Sequence, residues 1–571
     1  MGRFKIFQRK KEKDGCAVET GSQPTGLHSQ MSTTSQRAHP PVAELEKRVE
    51  KLGDRVYCAV GYALSNVTMV AVEGGKVIVD TTESLEAARE IKAEFDRLVP
   101  GPVKGILYTH SHPDHILGTP VFYEPGVDIW AQVYFTEEIR NQLGMLSSTF
   151  RKRASKQFGD RLPAEKRSGG GIGPSLRLDE DQVPPLMYPT KTFFDQIELS
   201  IGGVTFEVVA APGETRDHLF VYLPDEKTVI SGDNVYRAFP NLYAIRGVSP
   251  RPVGKWIQSL DKIRWLEPEY LSTGHTEPLR GRETIQEVLT TYRDAIAYLH
   301  AEVIRLTNQG CVPDEMATMI QLPEHLRDHP YLRETYGKIP WAVRGIHEGY
   351  LGWFDGNATN LQPLSKSEFS SRIVTLAGGS DHVVAAIKDA LSNDDPQWCS
   401  QLCDVLLAHG ERIEDAKRWK AEALEQLGER ESNPVGRNYY FASAEELRGS
   451  TQAPRRPAIS RDTLKYIPIE SLMQSLPARL RLDRTENMSL RIGFEFTDSG
   501  AQFTFYIRRG IGEIRPGILD APDFVVTSTE DAFKDMASGA VSGARAALTG
   551  SIKCSGGVAK LRMLKTILHP P

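Results

Sequence analysis

The stretch Val103–His115, VKGILYTHSHPDH, runs from a short apolar segment of strand character straight into three histidines and an aspartate within six positions. That order puts His110, His112, Asp114 and His115 on the loop leaving the carboxyl end of a strand, where α/β sheets hold their ligands. Imidazole and carboxylate donors on one tight loop suit zinc, and without a metal so dense a cluster would leave several polar groups in need of partners.

Upstream, RVYCAV (55–60) and NVTMVAVEGGKVIVD (66–80) are further apolar runs rich in β-branched residues, punctuated by Gly74-Gly75, and they read as strands. Between Asp80 and Val103 lies SLEAAREIKAEFDRLV, in which Ala88, Ile91, Phe95 and Leu98 recur at helical spacing and predict one buried face. Strands alternating with amphipathic helices predict an α/β layer structure.

Downstream the same placement recurs. APGETRDH (211–218) is a turn carrying Glu214 and His218; the strand TVIS ends on Gly232-Asp233; YLSTGHTEP ends a strand on His275. Each of these residues lies just past a strand, so all can converge on one edge of a sheet. Alone, Glu214 would read as a solvated turn carboxylate and His275 as a satisfied loop histidine; their shared placement favours ligands.

The bulk composition narrows the function. With 571 residues, 40% of them apolar, the chain is too long for a single core and builds several. A net charge of -5 from 69 basic and 74 acidic residues gives no electrostatic reason for a nucleic-acid partner. Six scattered cysteines, with Cys399 and Cys403 four apart on one predicted helix face, read as reduced thiols in apolar contacts. The basic start MGRFKIFQRKKEKDG leads into no apolar run of signal-peptide length, and no stretch is apolar over the roughly twenty residues of a membrane span. The expectation is a cytoplasmic protein with no stable membrane insertion.

Residues 1–45 lack apolar periodicity and read as a disordered tail. The Gly- and Lys/Arg-rich stretch 151–177 reads as a mobile loop over the site, whose basic residues either meet an anion or are simply solvated. After Arg282 the pattern turns helical, through TIQEVLTTYRDAIAYLHAEVIRLTNQ and then DHVVAAIKDALS, PQWCSQLCDVLLAHG and EDAKRWKAEALEQLGE, which read as stacked helical hairpins. Past the Pro-rich link QAPRRPAISRD, SLRIGFEFTDSGAQFTFYIRRG predicts a hairpin turning at Asp498-Ser499-Gly500, with Leu490, Ile492, Phe494 and Phe496 on one face. With the following helix pattern EDAFKDMASG it makes a small α+β unit.

Taken in order, His-x-His-x-Asp-His, Pro-Gly-Glu, Gly-Asp and Gly-His resemble the metallo-β-lactamase superfamily. Glu214 after Pro-Gly, and the segment NLYAIRG (241–247), bring the likeness to its alkylsulfatase branch. YLGWFDGNATNLQPL with its flanking helices resembles that branch's dimerisation domain, and the last hundred or so residues resemble its sterol-carrier-like terminal domain. The resemblance implies an αββα sandwich over 46–290, a helical dimerisation domain over 291–450 and a sterol-carrier-like domain over 455–571. It implies two zinc ions per chain, other divalent metals being possible: the first held by His110, His112 and Glu214, the second by Asp114, His115 and His275, with Asp233 bridging and His218 in support. Asn241, Tyr243 and Arg246 would bind the substrate's sulfate, and Asp114, Asp233 and Arg246 would serve catalysis.

The implied reaction is hydrolysis of an amphiphilic alkyl sulfate ester to alcohol and inorganic sulfate by metal-bound hydroxide, in a homodimer. Arg246 can hold two sulfate oxygens through its planar fork. Two departures stand against the branch's pattern: Asp233 occupies a position usually Glu, and Arg251 in VSPRP stands near where a histidine is often found. An esterase, lactonase or phosphodiesterase would use the same metals without the sulfate clamp, and a lipid-binding scaffold protein is the reading from another class.

Overall fold

The computed structural model describes residues 45–177, 184–449, 464 and 467–569. The expected disordered tail, apart from residue 45, Cys16 and the whole Pro-rich link 452–462 lie outside the described residues.

Two sheets are stacked in the first half of the chain. The first runs in chain order, β1 (Arg48–Leu52), β2 (Val56–Val60), β3 (Val67–Val72), β4 (Gly75–Val79), β5 (Val103–Leu107), β6 (Ile129–Gln132) and β7 (Lys191–Phe193). The second contains β8 (Gln196–Ile201), β9 (Val204–Ala210), β10 (Leu219–Leu223), β11 (Thr228–Ile230), β12 (Tyr270–Ser272) and β13 (Leu279–Arg280), ordered β13-β12-β11-β10-β9-β8. Their facing sides share one apolar core, in which Val56, Cys58, Val60, Val77 and Leu107 meet Phe206, Val208, Leu219 and Val221. A strand covered on both faces needs apolar residues at nearly every position, and β4 is buried throughout.

Helices cover the outer faces. Leu85–Leu98, capped by Ser84 Oγ, lays Ala88, Ile91 and Phe95 on Ile78, Ile106 and Met69. Leu98, expected on that face, is 37% exposed at the last position of the helix. Val253–Trp265 and Arg282–Asn308 cover the second sheet, with Trp256, Leu260, Leu289, Tyr292 and Ile296 packed on Phe220, Val229 and Leu271. The layers are therefore helix, sheet, sheet, helix, as expected. Arg282–Asn308 passes position 290 without a break, so its first two turns and its last belong to one covering element.

The basic stretch expected to be a mobile loop is structured differently. Ser147–Phe158 is a helix packed against Pro434–Leu447, with Lys152 and Lys156 paired to Glu446. The following loop is fixed by Asn438, whose side chain accepts from Ser168 N and donates to Gln157 O and Ser168 O. Its apolar periodicity is weak because the partner it meets is polar.

Helices Lys366–Leu376, Ser380–Ser392, Pro396–His409 and Ile413–Arg430 form a separate core around Val383, Ile387, Cys399, Cys403 and Leu406. Cys399 and Cys403 are fully buried in it and unpaired. Farther along lies the third sheet, ordered β16-β15-β14-β17-β18, from β14 (Ser489–Phe496), β15 (Gln502–Arg508), β16 (Ile511–Pro516), β17 (Phe524–Ser528) and β18 (Ile552–Cys554). Its hairpin has the expected register, and Leu490, Ile492, Phe494 and Phe496 are all buried on one side. Among the described residues no helix is long and apolar enough to cross a membrane.

Candidate metal centre

Four strand ends supply the centre. β5 leads into Thr109 and His110; the turn after β9 carries Glu214; β11 leads into Gly232-Asp233; β12 ends ahead of His275. Two of the turns admit no side chain. Gly232 has φ +52, and a Cβ there would fall 2.7 Å from Thr109 and 2.9 Å from His218; one on Gly274 would fall 2.2 Å from Asp233 Oδ1. Glycine lets the two loops close on each other.

The expected ligands converge in two groups, His110 with His112 and Asp233, and Asp114 with His115 and His275, each with its donor atoms within 4.8 Å of one another. Asp233 belongs to the first group and also faces the second. Its Oδ2 lies 3.6 Å from His110 Nε2 while its Oδ1 lies 3.3 Å from His115 Nε2 and 3.2 Å from His275 Nε2. His110 Nε2 and His112 Nδ1 are 2.9 Å apart, somewhat under the roughly 3.3 Å that two nitrogens span on a tetrahedral zinc.

The outer nitrogens are held by the protein. Asp80 Oδ2 faces His115 Nδ1 at 2.8 Å and also accepts from the Thr109 hydroxyl; Leu64 O faces His275 Nδ1 at 2.8 Å; Thr109 Oγ1 faces His110 Nδ1 at 3.0 Å. These contacts turn the Nε2 atoms of all three rings inward, the orientation metal-binding histidines need. Buried Glu83 fixes one of the supports, since its Oε1 accepts from Leu64 N and Arg177 N. Asp80 sits in a left-handed backbone conformation, φ 59, which a non-glycine residue adopts at a cost.

Charge in the centre is strongly uneven. Burial, aided by neighbouring imidazoles, holds His110 well below the usual histidine range, and burial with the Arg246 and Arg251 guanidiniums does the same to His112. Burial also pulls on His115 and His275, but carboxylates led by Asp233 outweigh it, raising His275 to about 9 and His115 well above its usual value. Asp233 is held far below the carboxylate range by His275, His115 and His110 despite its burial. Burial takes His218 down to about 3; it stays neutral, its Nε2 accepting from Asp233 N at 3.0 Å.

Glu214 stands slightly apart. Its Oε1 lies 2.8 Å from Arg251 Nη1, both side chains 1% exposed, and its Oε2 is buried without a partner. His115 Nε2 and Asp233 Oδ1 are likewise buried with no hydrogen-bond partner among the described residues. Buried acceptors are normally satisfied, and atoms of this kind facing one another fit a cation. Imidazole and carboxylate donors match zinc, and accept manganese or iron as well.

The other expected residues are placed as follows. Arg246 Nη2 lies 3.3 Å from His112 Nε2, and Gln157 Oε1 accepts from the Arg246 backbone N. Asn241 is buried, its backbone N donating to Tyr236 Oη. Tyr243 packs against Gly345 of the helix Ile339–Leu351. Asp80 and Leu64 were missed by the sequence reading. For Asp80 a signal existed, an acid closing the apolar strand KVIVD, but Leu64 acts through its backbone carbonyl.

Comparisons with known proteins agree along the chain. A family model for the metallo-beta-lactamase superfamily matches residues 60–275, one for alkyl sulfatase dimerisation matches 312–450, and one for the alkyl sulfatase C-terminal domain matches 457–571. A linear primary-alkylsulfatase from a Pseudomonas strain is 33% identical over 515 residues, covering 86% of this chain and 97% of its own length. An alkyl/aryl-sulfatase of Saccharomyces cerevisiae is 28% identical over 465 residues, 79% of this chain and 72% of that protein. The solved structure of a stereoselective inverting sec-alkylsulfatase from Pseudomonas superposes with a TM-score of 0.83 at 25% identity, covering 92% of this chain and 85% of that one.

Proposed function

We propose, because the chain belongs to the alkylsulfatase family of the metallo-β-lactamase superfamily, that it hydrolyses alkyl sulfate esters to an alcohol and inorganic sulfate with two zinc ions. One observation carries the reading: Asp233, a member of one cluster of metal donors, also faces His115 and His275 of the other, and a guanidinium is set against the first cluster at His112. His110, His112 and Glu214 would hold the first ion, Asp114, His115 and His275 the second, and Asp233 would touch both.

Two divalent ions bound there would supply an activated water near neutral pH and screen the charge of an anionic ester. Everything else is the work of side chains. Asp80, Leu64 and Thr109 orient the imidazoles, and His218 props the Asp233 backbone. Arg246 and Asn241 receive the sulfate, with Tyr243 behind them; the fork of Arg246 fixes two oxygens and stabilises charge that grows on them. If His112 gives Nδ1 to a metal its proton resides on Nε2, so the 3.3 Å contact with Arg246 Nη2 joins two donors. Two donors so placed share an acceptor, and a sulfate oxygen supplies one.

We assign hydrolysis to 46–290, pairing of two chains to 291–450 and gathering of the apolar tail to 455–571. Within the pairing region Tyr350, Leu351, Trp353, Leu361, Phe369 and Leu376 are exposed on a single chain, a set of apolar side chains a second copy would cover. The sparse, unpaired cysteines favour the cytoplasm. The test is release of inorganic sulfate from decyl sulfate, with metal counted by mass spectrometry. Sulfate release with about two zinc ions per chain is expected, whereas cleavage of uncharged esters alone would favour an esterase or lactonase.

A further inference from the structure

Arg251 has no part in the reaction described above, yet its side chain is 1% exposed within the centre. A guanidinium carries five N–H donors in a rigid plane. Glu214 Oε1 faces one of its nitrogens, Nη1, while Nε and Nη2 are buried with no acceptor among the described residues. Leaving charged donors buried and unsatisfied is costly, so the free edge of Arg251 calls for an anion that brings its own oxygens.

Arg246 presents the same condition from a second side. Its Nη1 is buried without an acceptor, and its Nη2 shares the space by His112 Nε2. Arg246 stands 3.3 Å from His112 and Arg251 stands 2.8 Å from Glu214, the two residues assigned with His110 to the first ion, so both guanidiniums face the same half of the centre. Glu214 would be shared between Arg251 and the first ion, so the three ligand carboxylates, Asp114, Glu214 and Asp233, fall short of the charge of two divalent ions and two guanidiniums together.

Charge then selects the head group. A sulfate monoester carries one negative charge, whereas a phosphate monoester loses its second proton with a pKa near 6 and is mostly dianionic at neutral pH. One guanidinium suffices for the first, and the second adds what a dianion needs.

We infer that Arg251 is a second anion-binding residue that, together with Arg246, opens this site to dianionic alkyl phosphate monoesters. The inference rests on the hydrolytic reading proposed above. In the added reaction the phosphorus–oxygen bond to the alkyl group breaks and a bond from phosphorus to the water oxygen forms. One water proton ends on the departing alcohol and the other remains on inorganic phosphate.

The test compares decyl phosphate with decyl sulfate on the metal-loaded full-length protein, as wild type, Arg251→Met and Arg251→Lys. Calorimetric titration with inorganic phosphate and inorganic sulfate gives a readout independent of turnover. The wild type should cleave both esters. Arg251→Met should lower kcat/KM for the phosphate, and weaken phosphate binding, by about 10- to 100-fold, the loss of a charge-assisted pair, and the sulfate substrate should lose less, so that the ratio of phosphate to sulfate kcat/KM falls by at least about threefold. Arg251→Lys, which keeps the charge, should recover part of the loss and shows whether an unfolded Met variant is to blame. Equal losses on both esters, or phosphate binding unaffected by either variant, would overturn the role of Arg251 and leave sulfate hydrolysis standing. A wild type that leaves decyl sulfate intact overturns the parent reading, and this one with it.

Discussion

The metal centre and the inner face of the C-terminal sheet are both shut away from water, but they are buried in opposite ways. Ile492, Phe494, Phe505 and Ile507 are at most 1% exposed and packed in an apolar core that also holds Phe524 and Phe533. Burial itself stabilises such a core, by about 25 cal/mol for each Å² of apolar surface removed from water. His110, His115, His275, Glu214 and Asp233 are no more than 2% exposed, yet Asp233 Oδ1, His115 Nε2 and Glu214 Oε2 have no donor or acceptor to meet. The C-terminal core is complete in itself, whereas the centre leaves donor atoms that a divalent metal would satisfy.

That contrast can be broken most directly at the ligands. His112→Ala or Asp233→Ala should abolish hydrolysis while circular dichroism remains near that of the wild type, because these side chains hold metal and little of the apolar core. Loss of the fold along with the activity would place the two residues among the structural ones after all.

Arg246 sharpens the comparison by separating anion from metal. Arg246→Lys keeps the charge and loses the bidentate fork, so kcat/KM on an alkyl sulfate should fall roughly ten- to a hundredfold, while an uncharged ester is cleaved nearly as before. Equal loss on both substrates would mean that the variant disturbs the ligands.

The C-terminal sheet should give the reverse pattern. Phe494→Ala removes a ring 1% exposed that stacks edge-on with Phe533 at 5.5 Å, which should cost that unit about 3–5 kcal/mol. Calorimetry should show the loss as an earlier transition, with metal content unchanged. A falling metal count would tie this unit to the centre more closely than their separate cores indicate. A still smaller effect on chemistry is expected from Trp353→Asp with Leu376→Asp, at side chains 74% and 85% exposed: light scattering should show a dimer becoming a monomer whose turnover is little altered. A wild-type monomer at micromolar concentration would remove the pairing role from this surface.

The sequence shows the two regions unequally as well. Alternation in SLRIGFEF and FTFYIRR discloses the third sheet because a half-buried strand repeats its environment every second residue. The string His110–His115 discloses a metal-binding loop because four ligand-type residues stand within six positions. Arg251 and Asp80 were harder to see. One arginine in a proline-bounded loop resembles any solvated one until the 36 intervening residues fold it back against Glu214, and Asp80 acquires its role only when β4 and β5 lie side by side. The helix Ser147–Phe158 was hidden for a related reason. Its contacts with Pro434–Leu447 are largely polar, through Lys152 and Lys156 to Glu446 and Asn438 to the Gln157 carbonyl, so little apolar rhythm marks it.

Inorganic sulfate released from decyl sulfate, measured on one preparation before chelation, after chelation and after zinc is returned, tests the central claim most directly. Two buried ligand clusters joined by Asp233 predict release in the first state, none in the second and recovery near two equivalents of zinc in the third. Undiminished release from protein shown to be free of metal would contradict the account.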